Sequence, residues 1–284
     1  DSLRARLAEL QAANRELSQY TGIVSHDLKA PLRAIHNYAD FLKEDMWDSL
    51  DENHKIYIEG LCRAVREGER LVEDILKLAR LDQTEVSKET IDVQEFLAYL
   101  IDTLGISSDV EVRFLGDDRP VIESSSPLLR QIFQNLLTNA AKFNCSKNKR
   151  IEIGWRHVQD AGFEIFVRDN GIGIPREHQQ KVFGVLERLH TNREYEGTGI
   201  GLALVQKAVE KLNGSVRVVS SPGEGSTFFV FLPASDAKQE SNVDFAERPL
   251  REELPHQNSL RSTRNGSVEQ ASLWWDILDF AYDN

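Results

Sequence analysis

Asn135-Leu136-Leu137-Thr138-Asn139-Ala140-Ala141-Lys142-Phe143 reads as a helical stretch with a distinctive polar face. Asn135, Asn139 and Lys142 stand four and three residues apart, so a helix brings them to one side. Two amide oxygens and one ammonium then point the same way. An amide oxygen is a suitable hard ligand for Mg²⁺ and an ammonium neutralises phosphate oxygens, so the face fits a metal-nucleotide. A merely solvated face would have the same spacing, and only the surrounding sequence can separate the two readings.

Downstream, the pattern predicts strands over residues 110–115, 151–158, 163–168, 215–220 and 227–232, with helices over 128–143 and 200–212. Strand, helix, strands, helix, strands is the order of an α/β layer domain. Directly after a predicted strand comes Asp169-Asn170-Gly171-Ile172-Gly173-Ile174-Pro175, whose glycines permit a close backbone approach. A buried carboxylate in such a turn can accept a hydrogen bond from an exocyclic amine, which selects adenine over guanine. Farther on, Glu196-Gly197-Thr198-Gly199-Ile200-Gly201-Leu202-Ala203 opens a helix and offers free amides and a positive dipole end to phosphates. No strand immediately precedes it, which argues against a dinucleotide-binding turn. The polar run over residues 187–195 reads as a mobile lid.

Upstream, Leu3, Leu7, Leu10, Leu17, Val24 and Leu28 follow a 4-3 spacing with Asn14 and Thr21 in the seam, the repeat of a parallel coiled coil. A second amphipathic pattern runs over residues 49–82, and Asp48, Ser49 and Asp51 suit the turn and helix N-cap between the two. Helix, connection, helix is a hairpin, and two hairpins from two chains would close a four-helix bundle. The first helix carries Ser25-His26-Asp27-Leu28-Lys29-Ala30-Pro31-Leu32-Arg33. A lone surface histidine carries little weight. Beside a carboxylate, however, a neutral imidazole can attack phosphorus through one nitrogen while Asp27 accepts from the other.

The 284 residues suffice for two domains and a tail, and the net charge of -12 argues against a nucleic-acid footprint. Cys62 and Cys145 show neither a pairing pattern nor metal-ligand spacing, which suits a reducing, cytoplasmic setting. No apolar run reaches membrane-spanning length, so no membrane contact is expected of this stretch. Because the sequence opens at Asp1 inside a helical pattern, it reads as part of a longer protein with an upstream sensor domain.

Taken in order, the stretches around His26, Asn139, Gly171 and Gly199 resemble the H, N, G1 and G2 boxes of histidine kinases, with Phe183 in an F-box-like run. The resemblance covers about residues 18–233, and four ordered motifs are far more specific than one. It implies an α+β multidomain protein. A coiled-coil signalling helix would occupy residues 1–20, a dimerisation and histidine phosphotransfer hairpin 21–82, a linker 83–89, and a Bergerat-type α/β sandwich binding ATP 90–233. The implied phosphoacceptor is His26 with Asp27 as its acid/base helper, and the implied Mg²⁺ ligand is Asn139. The implied ATP-binding set is Asn135, Asn139, Lys142, Phe143, Asp169, Gly171, Gly173, Phe183, Gly197, Thr198, Gly199, Gly201 and Leu202. Implied partners are a second copy of the chain and the receiver domain of a response regulator. The run from Phe183 to His190 looks most like the phytochrome-type branch.

Two departures stand out. Ala30 occupies the position, four after the histidine, where many relatives carry Thr or Asn to orient a water; a methyl cannot, so weak phosphatase activity is expected. Residues 234–284 extend past the family's domain. They read as a largely disordered tail with a docking helix at 271–282 built on Trp274, Trp275, Ile277, Leu278 and Phe280. A scaffold without phosphotransfer, or an ATPase clamp of the gyrase type, would be the competing functions; Asn139, Asp169, His26 and the glycines argue against the first, and the coiled coil and His26 against the second.

Overall fold

The computed structural model describes residue 6 and residues 27–81, 84, 86–106, 109–116, 119–158, 161–187 and 197–234. The coiled-coil expectation apart from Arg6 and Leu28, together with His26, the lid after Glu187 and the docking-helix segment, lies outside them.

Helix α1 spans residues 27–46 and α2 spans Glu52–Leu81. Asp51 caps α2, its Oδ1 accepting from the His54 amide at 2.9 Å. At the bend, the ammonium of Lys43 lies 5.0 Å from the centre of the Trp47 ring and that of Lys55 lies 5.8 Å from it. The helices run antiparallel: Lys29 pairs with Glu73 at 3.0 Å, and Leu32 lies over Gly68, where a Cβ would meet its Cδ2 at 3.4 Å. Ala39, Cys62, Val65 and Val72 are buried, whereas Ile35, Tyr38, Phe41, Leu42, Ile56, Tyr57 and Leu61 are exposed.

The second unit begins with β1 (Glu89–Asp92) and α3 (Val93–Thr103), followed by β2 (Glu111–Leu115), β3 (Val121–Ser124) and α4 (Ser126–Lys142). Strands β4 (Arg150–Val158) and β5 (Gly162–Asp169), helix α5 (Gly201–Lys211), β6 (Ser215–Ser221) and β7 (Gly225–Pro233) complete it. Five strands form one sheet in the order β2-β4-β5-β7-β6, parallel between β2 and β4 and antiparallel elsewhere, and β1 pairs with β3 apart from it.

Alternation along β5 divides the sheet's faces. Phe163, Ile165 and Val167 join the core with Ile151, Ile153, Phe228 and Val230, against Leu129, Phe133, Leu136 and Leu137 of α4 and Leu204, Val205 and Ala208 of α5. The other face carries Glu164, which pairs with Arg156 at 2.9 Å and Arg217 at 3.3 Å, and Phe166, 6.1 Å from Phe229.

A helical hairpin followed by an α/β domain is the expected class. Three elements of the second unit were not foreseen. Helix α3 is one of them although Val93, Leu97, Leu100 and Ile101 are buried at helical spacing and Asp92 caps it, accepting from the Glu95 amide at 2.9 Å. The other two, β1 and β3, are four residues each, too short for an alternation to register.

Candidate nucleotide site

The polar face of α4 opens into a cleft of about 290 Å³ between α4, the turn after β5 and the glycine-rich start of α5. Leu129, Phe133, Leu136 and Leu137 anchor the opposite face of α4 in the core, and this rotates Asn135, Asn139 and Lys142 into the cleft. Asn135 donates through Nδ2 to the Gln131 carbonyl at 2.7 Å. Its Oδ1 then faces Gly201, where a Cβ would come within 2.8 Å. The Lys142 ammonium sits 4.2 Å from the centre of the Phe143 ring and faces Gly197, where a Cβ would lie 2.6 Å from Nζ. A side chain at either glycine would have to push the Asn135 amide or the Lys142 ammonium aside.

Asp169 ends β5 and is buried. Its Oδ1 accepts from the Gly171 amide at 2.8 Å and from the Ser226 amide at 3.3 Å. Burial pushes its carboxyl up to about 6, against those two hydrogen bonds and the neighbouring Arg168, which pull downward. Gly173, at φ +71°, lies where a side chain would collide with the Ser221 carbonyl. Asn170 secures the far side of the turn, its Oδ1 accepting from Asn144 at 2.7 Å and from the Arg150 amide at 2.8 Å.

Backbone also joins two segments that border the cleft. The Leu186 amide donates to the Gly199 carbonyl at 2.9 Å, with Leu186 at φ +64° and Gly199 at φ +72°. This ties the two ends of the segment over residues 188–196 together. Chemically, the cleft offers amide oxygens, an ammonium, the start of a helix and a buried carboxylate in an apolar end formed by Ile172, Ile174 and Phe228.

Of the residues named from sequence, Asn135, Asn139, Lys142, Phe143, Asp169, Gly173, Gly197, Thr198, Gly199, Gly201 and Leu202 line this cleft. Gly171 does not line it and works from behind, holding Asp169 through its amide. Phe183 packs edge-on against Phe228, 6.4 Å between centres, and its neighbour Val182 reaches the cleft instead. Asp27 begins the described part of α1. Sequence reasoning missed Arg70 and Asp74, which line the cleft from α2. Thr198 Oγ1 donates to Asp74 Oδ2 at 2.6 Å, and Lys211 Nζ donates to the Leu81 carbonyl at 2.5 Å, so α2 rests against the start and the end of α5.

Among the described residues, no helix is long and apolar enough to cross a membrane, and no cluster of three or more His, Cys, Asp or Glu side chains could hold a metal. Asn139 lines the cleft, and its amide oxygen would suit an ion held largely by the phosphates it accompanies.

Comparison with known proteins matches residues 16–84 to the His Kinase A (phospho-acceptor) domain and residues 124–236 to the histidine kinase-, DNA gyrase B- and HSP90-like ATPase. Cyanobacterial phytochrome B of Nostoc sp. is 37% identical over 236 residues, covering 82% of this chain and 31% of that protein. Phytochrome-like protein Cph1 of Synechocystis sp. is 36% identical over 235 residues, covering 81% and 31%. Sensor protein kinase WalK of Staphylococcus haemolyticus is 32% identical over 238 residues, covering 80% and 38%. The chain thus spans about a third of the length of these relatives. Full-length ShkA, solved in complex with AMPPNP, shares the fold at a TM-score of 0.58 and 23% identity, over 76% of this chain and 46% of that one. With a phospho-acceptor domain joined to a histidine kinase-, DNA gyrase B- and HSP90-like ATPase domain, and a phytochrome and a phytochrome-like protein among its relatives, in line with the likeness of the run from Phe183, the chain belongs to the histidine kinases.

Proposed function

We propose that the chain binds ATP in the α4–α5 cleft, phosphorylates its own His26 and passes the phosphoryl group to an aspartate on the receiver domain of a separate response regulator. The observation that carries this reading is the convergence of Asn135, Asn139, Lys142, Asp169 and the Gly197–Gly201 stretch on one cleft. Asp169 accepts from the exocyclic amine of adenine, Phe143 packs near the base, and Lys142 and the amides at the start of α5 hold the phosphates. Asn139 would hold Mg²⁺, whose chemistry is to neutralise the charge on the phosphate oxygens. The neutral His26 imidazole attacks the γ-phosphorus in line. A nitrogen–phosphorus bond forms, the bond to the bridging oxygen breaks with release of ADP, and the imidazole proton passes to Asp27.

A cytoplasmic homodimer fed by an upstream sensor is the setting in which this chemistry makes sense. The exposed apolar residues of both hairpin helices support a second copy as partner, since together they make a face suited to a four-helix bundle. Ala30, exposed on α1, leaves no hydroxyl or amide to orient water, which supports a kinase with weak phosphatase activity. Calorimetric titration tests the nucleotide assignment. Binding of ATP and ADP with no binding of GTP is expected, and equal affinity for GTP would remove the role given to Asp169.

A further inference from the structure

We propose that Arg70, on the second hairpin helix, is a nucleotide-binding residue that contacts the terminal phosphate of ATP. The inference rests on reading the α4–α5 cleft as the nucleotide site.

Arg70 and Lys142 are the two cations among the described residues lining that cleft, which also presents Asp74, Asp169 and Glu187. A nucleoside triphosphate brings several negative charges, and Lys142 together with one Mg²⁺ would leave part of that charge unbalanced. The position of Arg70 within the cleft follows from Asp74, one helical turn further along α2 on the same face. The bond from Thr198 Oγ1 to Asp74 Oδ2, 2.6 Å long, registers this face of α2 on the glycine-rich start of α5. The start of α5 is the part of the cleft assigned to the phosphates above. Asp74 also pairs with Lys77, whose Nζ lies 3.1 Å from its Oδ1.

A second observation gives the contact a direction. Arg70 also lines a crevice of about 340 Å³ between α1 and α2 with Lys29, Arg33, Arg66, Glu69 and Glu73. Lys29 and Arg33, four residues apart on one face of α1, follow His26 in sequence by three and seven positions. Arg70 is the side chain shared by the two cavities. A guanidinium there can keep one pair of N–H groups on the γ-phosphoryl oxygens while the group moves from the nucleotide toward α1.

The test is nucleotide binding and autophosphorylation by the full chain carrying Arg70→Gln, with Arg70→Lys as the conservative variant. Arg70→Gln is expected to slow autophosphorylation at saturating ATP and to weaken ATP binding by roughly 10- to 100-fold, leaving ADP binding as in wild type. Arg70→Lys is expected to recover part of the rate. Wild-type rates in Arg70→Gln, or ATP and ADP weakened equally, would overturn the assignment. If the unaltered chain binds neither nucleotide, the reading of the cleft itself falls and this inference falls with it.

Discussion

Thr198 and Asp74 are 124 positions apart in sequence and joined by a 2.6 Å hydrogen bond, hydroxyl to carboxylate, that pins the hairpin to the edge of the candidate nucleotide cleft. A partly buried hydrogen bond to a charged acceptor contributes more than a neutral one. In a double-mutant cycle of Asp74→Ala and Thr198→Val, followed by chemical denaturation, we expect a coupling energy of about 1 kcal/mol. Strict additivity would mean that the two units are not held together there.

Asp169 gives a pH dependence with a definite sign. Its native carboxyl keeps a proton up to about pH 6, whereas the ordinary value is 3.8. Between these values the native state binds more protons than the unfolded chain. Stability from this group is therefore greatest at low pH and falls as pH rises toward 6, with no further loss above it. Asp169→Asn keeps an oxygen for the Gly171 and Ser226 amides without the buried charge. At pH 7.5 it should be more stable than wild type by on the order of 1–3 kcal/mol, and the two should converge near pH 4. ATP affinity should move the other way, falling at least tenfold or so in the variant and falling in wild type as pH drops through 6. A variant that is less stable at pH 7.5 and still binds ATP normally would contradict both roles.

Gly173 tests the shape of the same turn. Its φ of +71° and the Ser221 carbonyl beside it leave no room for a methyl group. Gly173→Ala should destabilise the protein by roughly 1–3 kcal/mol and shift the turn that carries Asp169, weakening nucleotide binding as well. Unchanged thermal unfolding would show that the turn accommodates a side chain.

Ala30 bears on the return reaction. Ala30→Thr places a hydroxyl four residues after His26, and we expect it to increase dephosphorylation of a phosphorylated receiver domain while autophosphorylation persists. Robust phosphatase activity in the unaltered chain would contradict the reading of Ala30.

Much of the nucleotide cleft was legible because its residues lie on regular elements. The spacing of Asn135, Asn139 and Lys142 fixes a helix face, and two glycine-bearing turns flank predicted strands or helices. Arg70 and Asp74 were not legible. On α2 they are two charged residues among many, and only the packing of Leu71, Leu78 and Leu81 into the second unit's core turns their face toward α5. Phe183 entered the ATP-binding set through the family resemblance alone, and the 3₁₀ turn over Lys181–Phe183 directs Val182 into the cleft and Phe183 onto Phe228. Helix α3 carried its own signal in Asp92, Glu95 and the helical spacing after Val93, but it follows a four-residue strand that blurs where the helix begins.

The central claim is that His26 receives the γ-phosphoryl group of ATP bound in this cleft. Incubating the chain and a His26→Gln variant with γ-labelled ATP and Mg²⁺ tests it most directly. We predict label on the unaltered chain that is lost in acid and stable in alkali, and none on the variant. Nucleotide binding without any label, or label that persists in His26→Gln, would contradict it.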